Sequence, residues 1–169
     1  FTRLRRIVRA LRPPVLEELG LKAGLEALIA DVHARTRLRC ALVFEQAPRR
    51  GARQPTLETA FYRSVQELLT NVIRHAQATT VSILVQQSRR EWRLTVTDDG
   101  VGFDVAGLSP LGRFGLRGIR ERVEIPAGHV EISSRVDSDT TVQVCIPVGT
   151  TCLLYTSDAA DDLLSVDLG

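Results

Sequence analysis

Much of what this chain lacks narrows what it can be. No apolar run approaches the roughly 18 residues of a membrane-crossing helix. The opening stretch, FTRLRRIVRALRPP, is basic and amphipathic and has no apolar core of a secretory leader. It also has no initiating Met, so the chain is expected to be a piece of a longer protein. Only Cys40, Cys145 and Cys152 are cysteines, and their spacing fits no metal site; they suggest ordinary burial in a reducing compartment. There is no internal repeat and no helix-turn-helix pattern, and the arginines are scattered, so direct nucleic-acid binding is not expected. The net charge of +2 is too small to argue otherwise. What remains is a 169-residue chain, 44% hydrophobic and 25% charged, enough for one soluble domain with a real core.

The tail differs from the rest. Residues 152 to 169, CLLYTSDAADDLLSVDLG, contain no Lys or Arg. CLLYTSDAADD resembles the translation of a transposase-type sequencing-library adapter, and VDLG fits the continuation of that adapter after a short index. The segment is therefore read as adapter read-through and set aside. Without Asp158, Asp161, Asp162 and Asp167, 16 of the 20 acidic residues remain against 22 basic ones, a net charge of +6. A moderately basic protein suits a polyanionic ligand such as a nucleotide.

Periodicity divides the rest. Leu4, Ile7, Val8 and Leu11 predict a helix over 1–12, which Pro13 and Pro14 break. VLEELGLKAGLEALIADVHART reads as a short turn and a helix with Leu21, Leu25, Leu28, Ile29 and Val32 on one side. LRCALVFE (38–45) alternates like a strand, and 47–55 is a loop. Thr56 is the expected N-cap of a helix over 57–76. VSILVQQ (81–87) and WRLTVTD (92–98) predict a hairpin. A Gly-rich, lid-like loop (99–115) leads to a helix over 115–123. HVEISS (129–134) and TTVQVCIPV (140–148) predict a second hairpin. The fold class is α+β, a sandwich of helices on strands.

Three features carry possible chemistry. In the helix 57–76, Leu57, Phe61, Val65, Leu68, Leu69, Val72 and Ile73 form the expected buried stripe. Glu67, Asn71 and His75 fall at i, i+4 and i+8 on another face, with Arg74 beside them. A solvated polar face is the commoner explanation of such a stripe. Asn is a mediocre helix former, however, and a carboxylate with an amide oxygen suits a hydrated Mg²⁺ that also bridges to phosphates. The second feature is DDGVGFD, in which Asp98, Gly100 and Gly102 follow a strand. A tight turn is the plain reading; the chemical one is a carboxylate accepting from an exocyclic amine, with glycines that let a planar ring approach. The third is GRFGLRG, Gly112 to Gly118, with Arg113, Arg117 and Arg120. Either it is a flexible loop, or it is a helix entry whose free N–H groups suit phosphate.

In this order and spacing the three resemble the N box and the two glycine boxes of the Bergerat-fold ATPase domain, shared by sensor histidine kinases, Hsp90-like chaperones and type II topoisomerases. ETAFYRSVQELLTNVIRHAQATTVSI, LTVTDDGVGFD and FGLRGIRERVE are most similar to the nitrate-sensor and DesK-like histidine kinases. ALRPPVLEELGLKAGLEALI resembles that subfamily's junction between its second dimerisation helix and the ATPase domain. The resemblance covers residues 4 to 148. It implies a two-layer α/β sandwich with a mixed, mostly antiparallel sheet and helices on one face. Residues 1–35 would be the end of the dimerisation helix and the junction, and 36–150 the catalytic domain.

The resemblance also implies ATP and Mg²⁺ as cofactors. Asn71 would ligate Mg²⁺, and Glu67 would orient a water or a metal ligand. Arg74 and His75 would lie near the triphosphate. Asp98 would accept from the adenine amine, with Gly100 and Gly102 shaping the adenine pocket. Gly115 and Leu116 would stand at the helix entry over the phosphates, and Thr140 near the nucleotide. Implied partners are a response regulator, typically DNA-binding, and a second copy held through upstream helices. The domain would be cytoplasmic, within a protein that can be anchored in the inner membrane. The phospho-acceptor His would lie upstream, since His33, His75 and His129 do not match its context.

Two stretches depart from the family. Asp137 and Asp139 replace the glycines of G-x-G-T, and IPAG (125–128) replaces L-G-G, with Pro126 expected to end the preceding helix early. The rival readings are a serine kinase of the anti-sigma-factor type, which lacks the junction seen here, and a degraded, non-catalytic ATP-binding or interaction module.

Overall fold

A computed structural model describes residues 13–46, 53–105, 110–124 and 127–148, with the side chains of 110–115 excepted. The expected helix 1–12 and the tail 152–169 lie outside the described residues, as does Pro126. Each helix opens on a proline, whose fixed φ and missing N–H suit the first helical position. Helix α1 spans Pro14–Arg35, with non-helical Gly20 (φ 86°, ψ −177°) splitting it in two. Its end is closed by Thr36, whose N–H and Oγ1 both donate to the Val32 carbonyl at 2.9 Å. Strand β1 is Arg39–Gln46.

Helix α2 spans Pro55–Asn71 and runs into a π-helical turn, Val72–Ala76. The cap position belongs to Gln54, which makes no side-chain cap bond, and not to Thr56 as expected. Pro55 takes the first helical position and leaves Thr56 inside the first turn. The wider π turn changes the face on which later residues fall. Leu57, Phe61, Val65, Leu68, Leu69 and Val72 are buried as expected, but Ile73 is 47% exposed.

The strands β2 (Thr80–Gln87) and β3 (Glu91–Asp98) form the first expected hairpin. Helix α3 spans Pro110–Glu124, starting five residues before the expected position. Strands β4 (His129–Ser134) and β5 (Thr140–Pro147) form the second hairpin. The five-stranded sheet has the order β1-β2-β3-β5-β4. Only β1 and β2 are parallel, joined by the α2 crossover; the other pairs are antiparallel.

Helices lie on one face, so this is the two-layer α+β sandwich that the sequence predicts. Alternation decides which residues meet them: Val81, Ile83 and Val85 of β2, Trp92, Leu94 and Val96 of β3, and Val142, Val144 and Ile146 of β5 are all buried. Phe61 of α2 meets Trp92 edge to face, with ring centroids 5.5 Å apart and planes at 90°. Burying such a side chain stabilises by about 1.5–3 kcal/mol, and the edge-to-face geometry adds about 0.5–1.5 kcal/mol. This contact seats the helix that carries Glu67 and Asn71 on the middle of the sheet.

Candidate functional site

Strand register builds a polar row at one end of a mostly apolar face. Asp98, the last residue of β3, is opposite Thr140 of β5, which is opposite Ser134 of β4. Asp98 is 5% exposed and Thr140 is 7% exposed. Thr140 Oγ1 and Ser134 Oγ share a hydrogen bond of 2.8 Å, and the Phe103 N–H donates to Ser134 Oγ at 3.0 Å. The Gly100 N–H donates to Asp98 Oδ1 at 3.0 Å. Burial pushes the Asp98 carboxyl above its usual range; the Gly100 N–H opposes this, and the charges of Asp99 and Asp139 add to it. Asp98 is thus a buried acceptor, with one bond to its own loop and room in its chemistry for another donor.

Its neighbour has the opposite fate. Asp99 Oδ1 accepts from the Thr79 and Thr80 N–H groups at 2.7 and 2.8 Å, and Oδ2 from Thr79 Oγ1 at 2.7 Å. Those donors hold its carboxyl far below the usual range, the Thr80 N–H foremost. In DDG, therefore, Asp99 pins the start of β2 while Asp98 faces inward.

Backbone contacts bring the other segments to this row. The Val101 N–H donates to the carbonyl of Ala76, at the end of the π turn, at 2.8 Å. A Cβ on Gly100 would stand 2.4 Å from that carbonyl oxygen. On the other side, the Asp137 N–H donates to the Val101 carbonyl at 2.8 Å. A Cβ on Gly102, where φ is +57°, would stand 2.0 Å from the Arg135 oxygen and 2.3 Å from that of Ser138. The two glycines hold the loop between the N-box helix end and the β4–β5 turn, a role not foreseen in the adenine-pocket explanation.

Asn71 ends α2 and Glu67 lies one turn earlier; both are half-buried. Arg74 and His75 lie on the π turn and are exposed. The structure thus joins Glu67, Asn71, Arg74 and His75 on one helix end, packed through Ala76 onto the loop of Asp98, Gly100 and Gly102. The two remaining site residues sit differently. Because α3 begins at Pro110, Gly115 and Leu116 lie within a helix and not at its entry, and Leu116 is core, 8% exposed. Arg117 pairs with exposed Glu121 at 2.7 Å, a surface ion pair worth little.

Asp137 does adopt the left-handed backbone that a family glycine would favour, at φ 58°. Asp tolerates that region better than most residues. The charge of Asp139 is felt at Asp98. A groove of about 430 Å³ opens at the same end of the sheet and is lined by Arg39, Ser82, Thr97, Asp98 and Asp139 among others.

Sequence reasoning missed Ser134, the Phe103 N–H and Arg122. Ser134 becomes visible only when β4 is placed beside β5. Arg122 of α3 is half-buried; burial pushes its guanidinium pKa down, Glu67 pushes it up and Arg63 down again. It therefore faces the α2 residues around Glu67, where the 3.6-residue period of α3 alone could not place it.

Residues 56–150 match the family of histidine kinase-, DNA gyrase B-, and HSP90-like ATPases, and the chain belongs to that family of ATP-binding domains. It is 32% identical to the signal transduction histidine-protein kinase/phosphatase DegS of Brevibacillus brevis over 148 residues, covering 87% of this chain and 37% of that one. It is 34% identical to the sensor histidine kinase MctS of Rhizobium johnstonii over 146 residues, covering 85% and 31% respectively. The chain thus spans about a third of the length of these curated relatives. Among solved structures, the Erythrobacter litoralis EL346 blue-light activated histidine kinase superposes with TM-score 0.60 at 21% identity, over 80% of this chain and 48% of that one. The Acinetobacter baumannii histidine kinase AdeS gives 0.59 at 15% identity, over 80% and 73%. At these identities the shared property is the fold.

Proposed function

We propose that this chain is the ATP-binding catalytic portion of a two-component sensor histidine kinase of the nitrate-sensor and DesK-like type. It binds Mg-ATP, passes the γ-phosphoryl group to a His on a helix upstream of the described residues, and from there to an aspartate of a response regulator. The supporting observation is the row Asp98–Thr140–Ser134, buried at Asp98 and Thr140 and half-buried at Ser134, at the base of the loop that the helix end carrying Glu67 and Asn71 meets through Ala76.

Adenine fits this row because its exocyclic amine is a donor and Asp98 is a buried acceptor. Thr140 and Gly102 flank that position, and Gly100 sets the loop backbone beside it. The donor set also fits Mg²⁺. Asn71 and Glu67 offer hard oxygen atoms one turn apart, and among the described residues no group of three or more His, Cys, Asp or Glu cages an ion. An ion at this helix end would be held by Asn71, with Glu67 ordering a water or ligand, and by the phosphates of the nucleotide. When bound, it would neutralise charge on the phosphates. Arg74 and His75, exposed on the same end, would face the triphosphate, and Gly115 of α3 would border it, with Leu116 holding that helix to the core. The work of the protein is then to position and neutralise.

The test is titration of the chain with a fluorescent ATP analogue, with and without Mg²⁺, beside Asn71→Ala. The reading expects saturable, Mg²⁺-dependent binding in the wild type and at least tenfold weaker binding in the variant. A folded wild type that does not bind would instead mark a non-catalytic module.

A further inference from the structure

The first piece of α1, Pro14–Leu19, is joined to the rest of the helix through Gly20 alone, at φ 86° and ψ −177°. That conformation ends the helical hydrogen bonding and leaves carbonyls at the end of the piece to find partners outside the helix. Most of its surface is free: Glu17 and Glu18 are exposed, and Leu19 is 70% exposed. Among the described residues, two features attach it. Leu16 is fully buried, and a Cβ on Gly24 would lie between it and the Tyr62 ring, 3.4 Å from Leu16 Cδ1 and 3.5 Å from Tyr62 Cδ2. The second attachment is one guanidinium. Arg53 Nη1 donates to the Glu17 carbonyl at 2.6 Å, and Nη2 donates to the Leu16 carbonyl at 2.7 Å.

The same guanidinium grips α2. Arg53 Nε donates to Glu58 Oε1 at 3.1 Å, and Nη2 pairs with Glu58 Oε2. Glu58 is 3% exposed. A carboxylate so buried in the first turn of a helix needs a partner, and Arg53 supplies two bonds to it in fork geometry. A Cβ on Gly20 would stand 3.4 Å from Arg53 Nη2, so the swivel residue lies directly beneath the guanidinium. One cation therefore ties a swivel-mounted segment to the helix that carries Glu67 and Asn71 two and more turns further on.

We propose that Arg53 and Glu58 form a latch, and that Pro14–Leu19 is a strap that opens as a unit about Gly20 when the latch is released. Closed, the strap has a fixed direction relative to the nucleotide helix. Open, the burial of Leu16 against Gly24 and Tyr62 still restrains it. The signalling meaning of the latch rests on the kinase reading above, in which the chain before Pro13 leads to the acceptor helix; its mechanics do not.

Amide hydrogen exchange tests it in the whole chain, comparing wild type with Arg53→Gln and with Arg53→Gln/Glu58→Gln. The double variant removes the buried carboxylate that the single one leaves unpaired, so it decides the matter if the single variant does not fold. Exchange within 15–21 should rise at least tenfold, while amides of Val81–Val85 and Leu94–Val96 and the affinity for the ATP analogue stay within twofold. Unchanged protection of 15–21 in the double variant would overturn the latch. So would a rise shared equally by the strap and the sheet, which would make Arg53 a general stabiliser. Absence of nucleotide binding by the wild type would sink the kinase reading and leave the exchange result standing.

Discussion

Two glycine-rich segments look alike on paper and differ in the folded chain. In DDGVGFD the glycines are demanded by their surroundings: Gly100 faces the Ala76 carbonyl and Gly102 is wedged under the β4–β5 turn with positive φ. In GRFGLRG the helix runs straight through, and a Cβ on Gly118 would meet nothing within 4 Å. The first segment is a junction where three pieces of backbone touch, so glycine there is a packing requirement. In the second, Gly118 lies where its helix is open to space, and there glycine costs about 1 kcal/mol relative to Ala. Sequence shows the residue type but not what presses on it.

Gly102→Ala should have the largest effect. The substitution puts a methyl group against two carbonyl oxygens and a side chain at φ +57°. Overpacking and left-handed strain together predict a loss of roughly 3 kcal/mol or more. Chemical denaturation should show a clearly lower midpoint, and an unchanged midpoint would mean that the loop does not seat against the turn as described.

The adjacent aspartates of the first segment respond to pH in opposite senses. The carboxyl of Asp99 is depressed, so its contribution to stability is present above its unfolded pKa and is lost only as pH falls through its low folded value. Asp98 is raised, so its charged form disfavours the fold; that contribution is full below its unfolded pKa and lost as pH rises through the folded one. Its acceptor function runs the other way and fails as pH falls through the raised value. Between the two folded values the domain should stay folded and lose nucleotide, which parallel binding and circular-dichroism titrations would show. Asp98→Asn should mimic that loss at neutral pH, weakening binding about 10–100-fold, since a charged acceptor bond is worth about 1.5–3 kcal/mol.

The legible part of the fold was the part set by period. Both hairpins, the buried faces of β2, β3 and β5 and most of the α2 stripe follow from alternation and 3.6-residue spacing. Boundaries failed where local chemistry overrode period. Pro55 started α2 before Thr56, and Pro110 started α3 ahead of the glycines. The π turn, a change of hydrogen-bond register with no residue signature, moved Ile73 to the surface. Of the candidate site, Asp98, Thr140, Glu67 and Asn71 were singled out by resemblance, and the fold adds their placement on two paired strands and one helix. Ser134 and the Arg53–Glu58 pair exist as features only once strands and helices are docked.

Gly118→Ala gives the smallest effect and separates two explanations of the second segment. If Gly118 is simply tolerated on the helix surface, Ala should stabilise the domain by about 0.5–1 kcal/mol, through both helix propensity and a less flexible unfolded chain. Nucleotide affinity should then hold, because the added methyl group touches nothing. If stability rises while affinity falls, α3 has to leave the helical conformation at Gly118 when nucleotide binds, and the glycine is retained for that second conformation. If stability falls, a straight helix through Gly118 is itself disproved, because open space and helical φ leave a methyl group no way to do harm.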